Sequence, residues 1–131
     1  MSQTKKDGFK LESPKITYEQ TLRRLEKIQK HLERPRGDRL KGKVCIITGV
    51  GSLKGIGRST ALLFAHEGAK ALYLLDFDGT NLPNLKNAIN KTYPDVHVVT
   101  VQGDAADDAT VSQLVSNAVK EQGQLDIFFA N

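Results

Sequence analysis

The chain has few of the residues on which disulfide-bonded, metal-binding and membrane-spanning proteins depend. Its 131 residues include one cysteine, no tryptophan and only 6% aromatic residues. A single cysteine, Cys45, excludes an internal disulfide and a cysteine-based zinc site. No apolar run approaches the roughly 18 residues that a membrane-spanning helix needs. The basic start, up to Lys10, has no apolar stretch behind it and does not match a secretory signal, so we expect a cytoplasmic protein without a membrane partner.

The histidines do not suggest a metal centre. His31, His66 and His97 fall on different predicted elements and lack the spacing of metal ligands. We therefore predict no metal site.

The net charge of +4 is unevenly distributed. Residues 1–43 contain 13 Lys and Arg against 6 Asp and Glu, whereas residues 44–131 contain 6 against 9. A basic arm can bind nucleic acid. Here the basic residues alternate with acidic ones and no aromatic platform accompanies them, so we favour a solvated helix and expect no nucleic-acid partner. A nucleic-acid-binding arm stays as a third hypothesis, which predicts binding that falls steeply with salt.

An amphipathic helix is predicted near the start of the chain. Residues 1–16 are polar and mixed and are expected to be poorly ordered. From Thr17 to about Arg34, apolar residues recur at intervals of three and four, and Thr17 with Gln20 fits a capping box. Such a face either packs on its own domain or contacts another subunit, which leaves a homo-oligomer open. The apolar stripe consists of Tyr18, Leu22, Leu25, Ile28 and Leu32.

The residue pattern changes after Arg39, where short apolar runs typical of strands begin. The first, Val44–Thr48, is a continuous apolar run of the kind that lies buried on both faces of a parallel sheet. Residues 1–39 are therefore interpreted as an N-terminal extension and residues 40–131 as the main unit. The four predicted strands are 44–48, 71–75, 96–101 and 125–130.

Helical segments separate these strands. They are predicted at 56–67, 81–93 and from the cap Asp107 to about Gln122. The order β-α-β-α-β-α-β implies right-handed crossovers and a parallel sheet with helices on both faces. We therefore predict the α/β class, as a partial doubly wound Rossmann-type sheet in the order 3-2-1-4, preceded by the amphipathic helix.

A glycine-rich loop lies between the first strand and the first helix of this unit. It runs from Thr48 to Gly57, and glycines in this position permit a tight turn and a close approach of the backbone to a pyrophosphate. Asp76 ends the second strand, 19 residues after Gly57, close to the spacing at which a carboxylate meets the adenosine ribose. No GxxxxGK[ST] can be drawn through the loop, so a nucleotide-triphosphatase loop of the usual form is excluded. These features predict a dinucleotide site. The alternative interpretation of Asp76 is that it is only a turn residue at the end of a strand.

Three motifs in order resemble the short-chain dehydrogenase/reductase family over about residues 39–131. The segment 40–49, LKGKVCIITG, followed by Gly55-Ile56-Gly57, is similar to the family's TGxxxGxG opening, with five residues instead of three between the first two glycines. Gly103-Asp104-Ala105 resembles the segment that holds the adenine ring. Residues 125–131 resemble the start of the motif that ends in NNAG, with Ala130 in place of its first Asn and Asn131 on its second.

The resemblance implies which residues contact the cofactor. They come from the glycine loop and from the ends of the second, third and fourth strands. The predicted cofactor-binding residues are Gly49, Ser52, Leu53, Lys54, Gly55, Ile56, Gly57, Asp76, Asp104, Ala105 and Asn131.

Charge near the second strand favours NAD(H) over NADP(H). A carboxylate at Asp76 accepts hydrogen bonds from both ribose hydroxyls and repels a 2′-phosphate, and Asp78 adds to that repulsion. Residues 71–85 contain no Lys or Arg that would bind the phosphate. Lys54 and Arg58 argue for NADP(H), since basic residues of the loop reach the 2′-phosphate in some relatives of the resembled family.

The catalytic part of the resembled family is not found in this sequence. That family uses a Tyr-x-x-x-Lys pair with a serine, whereas none of the three tyrosines here has a lysine four residues on, so no catalytic residue is assigned. We interpret the chain as the dinucleotide-binding part of an NAD(P)-dependent oxidoreductase. The full-length enzyme would transfer a hydride between nicotinamide and a small alcohol or carbonyl substrate. The alternative is a non-catalytic nucleotide-binding or interaction module that docks through its N-terminal helix.

Overall fold

The computed structural model of the chain describes residues 14–131, with side chains from Thr17 onward. The expected poor order of residues 1–16 lies outside the described residues for 1–13, and it was wrong for 14–16, which belong to the first helix. Helix α1 spans Pro14–Leu32, so the prediction that Thr17 caps it was wrong. Proline at the first helical position needs no N–H partner and has a helical φ, which allows the helix to begin three residues earlier. Thr21 Oγ1 donates to the Thr17 carbonyl oxygen at 2.9 Å, as in a helix interior.

Four parallel strands form one sheet in the order β3-β2-β1-β4, as predicted. The strands are β1 (Val44–Thr48), β2 (Ala71–Asp76), β3 (His97–Gln102) and β4 (Ile127–Phe129). Strand β1 is central and lies fully buried between β2 and β4. Strand β4 is shorter than predicted, and just before it the Asp126 carboxylate accepts from Val44 N at 2.8 Å while Asp126 N donates to the Val44 carbonyl oxygen at 2.9 Å.

Helices cover both faces of the sheet, which confirms the predicted α/β class. The helices are α2 (Ile56–His66), α3 (Leu82–Thr92) and α4 (Asp108–Gln122). Alternate residues of β1 point to opposite faces. Cys45 and Ile47 pack into the core beneath α2 and α3, and Val44 and Ile46 pack into the core beneath α4.

Helix α1 packs against α2 of the same chain. Leu25 and Ile28 are half-buried along this contact, whereas Tyr18 is 54% exposed. The segment after α1 is bonded to the end of α2, since Gly37 N donates to His66 O at 3.1 Å and Leu40 N donates to Glu67 O at 2.8 Å. Part of the apolar stripe is therefore covered by the chain itself.

Arg36 joins the segment after α1 to the end of α2 and to the turn that follows α3. Its Nε and Nη2 donate to the Ala65 carbonyl oxygen at the end of α2, at 3.2 and 3.0 Å. Its Nη1 donates to Asp95 Oδ1 at 2.6 Å, and its guanidinium lies 5.0 Å from the centre of the Tyr93 ring. Hydrogen bonding to Arg36 holds the pKa of Asp95 below its usual range. One side chain thus fixes the extension on the main unit.

We expect Arg36→Ala to lower the free energy of unfolding by about 1–2 kcal/mol, because it removes several hydrogen bonds at once. Arg36→Lys should restore little of the loss, since an ammonium lacks the planar fork that reaches both partners. Urea unfolding measures the effect, with the exposed neighbour Arg34→Ala as the control. Equal stability of the Arg36 and Arg34 variants would contradict this anchoring role.

Candidate functional site

The carboxyl ends of the four parallel strands meet at one edge of the sheet, where open α/β sheets place their ligands. The glycine loop follows β1, Asp76 ends β2, Asp104 follows β3 and Asn131 follows β4. The fold therefore brings the four predicted segments to one edge. Gly103 N, directly after β3, donates to the Asp76 carbonyl oxygen at 2.9 Å. This bond extends the pairing of β2 with β3 by one residue at this edge.

Two glycines allow α2 to start close behind β1. Gly49 has φ +70°, a conformation that side chains rarely tolerate. A Cβ on Gly57 would lie 2.2 Å from the Gly49 carbonyl oxygen, so only glycine permits this approach of helix to strand. The loop between them is compact, with Gly55 N donating to the Ser52 carbonyl oxygen at 3.0 Å.

The N-terminus of α2 is open to an anion. Gly55 occupies the cap position and no side chain caps the helix. The first turn contains no acidic residue that would neutralise the positive end of the helix dipole. Free N–H groups at an uncapped helix start behind a glycine turn suit a phosphate group. The site therefore fits a dinucleotide pyrophosphate.

Asn131 fixes the start of the glycine loop from the neighbouring strand. Its Nδ2 donates to the Gly49 carbonyl oxygen at 3.0 Å, and its backbone N donates to Thr48 Oγ1 at 3.0 Å. The residue that the resemblance placed at the site thus contacts the loop directly, through its side chain and its backbone.

Asp76 fixes the middle of the loop. Its Oδ2 accepts from Gly51 N at 2.7 Å and its Oδ1 accepts from Asp78 N at 2.9 Å. A Cβ on Gly51 would lie 2.8 Å from the Asp76 carboxyl carbon, so a larger residue here would displace this side chain. Asn81 Nδ2 donates to the Gly51 carbonyl oxygen at 2.7 Å. The sequence reasoning missed this set of bonds to Gly51, because nothing in the spacing links residues 51, 76 and 81.

The tip of β2 is negatively charged. Asp78 Oδ1 accepts from Thr80 N at 2.9 Å and from Thr80 Oγ1 at 2.6 Å. These hydrogen bonds hold the pKa of Asp78 below its usual range, so this carboxylate is ionised at neutral pH. Asp76 and Asp78 therefore present two acidic groups beside the glycine loop.

The two basic residues of the loop region are bonded elsewhere. Lys54 Nζ lies 5.2 Å from the centre of the Tyr18 ring on α1 and 3.4 Å from its hydroxyl oxygen. Arg58 Nη2 donates to Asn84 Oδ1 on α3 at 2.8 Å, and burial lowers the pKa of Arg58. Arg58 Nη1 is buried without a partner among the described residues. Within residues 17–131, neither cation forms an ion pair with Asp76.

The remaining predicted site residues lie on the surface of this edge. Leu53 and Ile56 expose 58% and 68% of their area beside the helix N-terminus, and Ser52 is exposed next to them. Asp104 and Ala105 are also exposed, and Asp104 Oδ1 accepts from Ala106 N at 2.8 Å in a local turn. Strand β2 separates these last two residues from the glycine loop.

The cysteine and the buried histidine of the chain have structural roles. Cys45 is buried in β1, and burial, followed by the charge of Asp126, raises its pKa to about 12, so its thiol is unreactive. His66 is also buried, with its Nδ1 2.9 Å from the Tyr93 hydroxyl, a pairing that no sequence pattern indicated. The described part of the chain has no cluster of potential metal ligands. Nor does any helix in this part have the length and apolar character to cross a membrane.

Comparison with known proteins places this arrangement in a well-populated group. The family model described as short chain dehydrogenase matches residues 43–131. Levodione reductase of Leifsonia aquatica is 41% identical over 93 residues, which are 71% of this chain and 34% of that protein. The chain spans about a third of the length of the curated relatives that it matches.

Solved structures agree with the sequence matches. NAD+-bound xylitol dehydrogenase superposes with a TM-score of 0.60 at 30% identity, covering 69% of this chain and 33% of that one. A short-chain dehydrogenase/reductase from Burkholderia phymatum in complex with NAD gives a TM-score of 0.60 at 31% identity, covering 68% and 30%. Both relatives hold NAD in their solved structures, as their descriptions state.

Proposed function

The chain belongs to the short-chain dehydrogenase family, and from this we propose that it forms the dinucleotide-binding part of an NAD(P)-dependent oxidoreductase. The full-length enzyme transfers a hydride between nicotinamide and a small alcohol or carbonyl compound. The observation that carries the proposal is the uncapped N-terminus of α2, which the Gly49–Gly57 contact holds close behind β1. The same surface contains the exposed apolar residues Leu53 and Ile56, which a bound cofactor would cover.

Each predicted residue has a role in this proposal. The free N–H groups of Ile56 and Gly57 at the start of α2 bind the pyrophosphate, and Ser52, Leu53, Lys54 and Gly55 border it. Asp76 accepts hydrogen bonds from the adenosine ribose, and Asp104 with Ala105 borders the adenine. Gly49 and Asn131 hold the loop in place. The nicotinamide supplies or accepts the hydride, whereas the proton donor and the substrate pocket belong to sequence outside these residues.

We further propose a preference for NAD(H). Asp76 and Asp78 put negative charge where NADP(H) would add a phosphate, and that charge is uncompensated by a basic residue in 71–85. Lys54 and Arg58, the two cations that could offset it, contact Tyr18 and Asn84 instead. This charge distribution supports NAD(H) as the bound form.

Turnover by the full-length protein tests the enzymatic part of the proposal. With NAD+ and a panel of small secondary alcohols, we expect nicotinamide absorbance to rise, and we expect a Tyr-x-x-x-Lys sequence beyond Asn131. Dinucleotide binding without turnover, together with a full-length sequence lacking that pair, would favour the non-catalytic module instead.

A further inference from the structure

Helix α1 reaches the glycine loop through Tyr18. The Lys54 ammonium lies 3.4 Å from the Tyr18 hydroxyl oxygen and 5.2 Å from the centre of the ring, so it lies at the hydroxyl end of the side chain and donates to that oxygen. Both residues are at the surface, and Tyr18 is 54% exposed. Neither the fold nor the proposed roles of the loop require this contact.

Lys54 is directed to the α1 side of the loop. There it lines a groove between α1 and α2 together with Arg24 and Leu25. The Asp76 carboxylate contacts the same loop at Gly51, three residues before Lys54 in a compact turn. A lysine side chain is flexible, so an unbound Lys54 ammonium would be attracted toward the carboxylates of Asp76 and Asp78, and to any phosphate beside them.

We propose that Tyr18 determines cofactor specificity by holding the Lys54 ammonium on the α1 side of the loop, away from the position of the ribose phosphate of NADP(H). This inference rests on the proposed dinucleotide site and adds a residue of the N-terminal extension to it. Tyr18 acts as a positioning residue, because it works through Lys54 and touches no cofactor atom in this account. Asp76 repels the phosphate of NADP(H), and Tyr18 keeps the Lys54 ammonium, which would compensate for this repulsion, away from that phosphate.

Calorimetric titration of the full-length protein with NAD+ and with NADP+ at low ionic strength tests this proposal. Tyr18→Ala should tighten NADP+ binding by about threefold, the size expected when one exposed hydrogen bond is lost, and should leave NAD+ binding unchanged. Tyr18→Phe keeps the ring but removes the hydroxyl oxygen that accepts from Lys54, so it should show a gain close to that of Tyr18→Ala. In a Lys54→Ala background, removing Tyr18 should change neither affinity, which separates an effect through Lys54 from a general loss of structure.

The controls make the outcomes distinct. Gln29→Ala, an exposed change on the same helix, should alter neither affinity. If the wild type binds NAD+ and the Tyr18→Ala variant shows no gain for NADP+, or the same gain without Lys54, the role of Tyr18 is refuted and the dinucleotide site stands. If the wild type binds neither dinucleotide, the proposed function itself is refuted, and the role of Tyr18 with it.

Discussion

Replacing Gly57 by alanine is expected to reduce dinucleotide binding by 100-fold or more, on the order of 3 kcal/mol of binding free energy. The added Cβ would lie 2.2 Å from the Gly49 carbonyl oxygen and 2.9 Å from Asn131 Nδ2. A backbone oxygen cannot rotate away as a side chain can, so α2 must shift from β1. The helix N-terminus then leaves the position that suits a pyrophosphate.

The same substitution should lower the free energy of unfolding by about 1–3 kcal/mol, the usual cost of overpacking. Alanine is the better helix former, so a loss of stability would be steric in origin. Gly103→Ala is the control for stability, because its Cβ would meet the side chains of Thr110 and Leu75, which can move. Calorimetry and urea unfolding measure the two effects, and full NAD+ affinity in the Gly57 variant would contradict the assignment of the loop.

Replacing Asp76 by arginine is expected to reverse the cofactor preference. The change removes the acceptor for the ribose hydroxyls and puts a cation where NADP(H) has its phosphate. A charged hydrogen bond contributes about 1.5–3 kcal/mol, so the ratio of NAD+ to NADP+ affinity should fall by about 100-fold. Titration of both cofactors against wild type and variant measures this ratio.

Asp76→Asn is the matched control for charge. Its amide oxygen can still accept from Gly51 N, which the Asp76 carboxylate binds at 2.7 Å, so the glycine loop should keep its shape. Its amide nitrogen cannot accept from Asp78 N, so the turn at Asp78 should loosen. We expect an intermediate ratio from this variant. If Asp76→Ala leaves the ratio unchanged, the residue does not bind the ribose and serves only as the strand-end turn that bonds Gly51 and Asp78.

The sequence predicted the fold well because its signals are local and periodic. The apolar run Val44–Thr48 forms the buried central strand, and the alternation of strands with helices produces the parallel sheet in the order β3-β2-β1-β4. The ends of elements were less predictable. Proline at residue 14 starts α1 ahead of the apparent cap Thr17, and β4 covers only Ile127–Phe129 of the predicted 125–130.

Site residues could be predicted from the sequence where the backbone conformation or a close backbone contact requires one residue type. Gly49 and Gly57 were identified from the loop pattern, and the structure gives them a positive φ and a close backbone contact. Contacts between distant side chains have no such signal. Tyr18 and Lys54 are 36 residues apart, and their pairing depends on how α1 lies across α2. The contacts of all eleven predicted residues with a cofactor stay predictions.

The central claim is that a dinucleotide binds at the carboxyl edge of this sheet, over the start of α2. Amide chemical shifts of the full-length protein, followed while NAD+ is added, test it most directly. We predict saturable shifts at Gly51, Gly55 and Gly57 and at Asp76, with little change at Asp126 on the opposite edge. Saturable shifts confined to other surfaces, or no shifts at these glycines at saturating NAD+, would contradict the account.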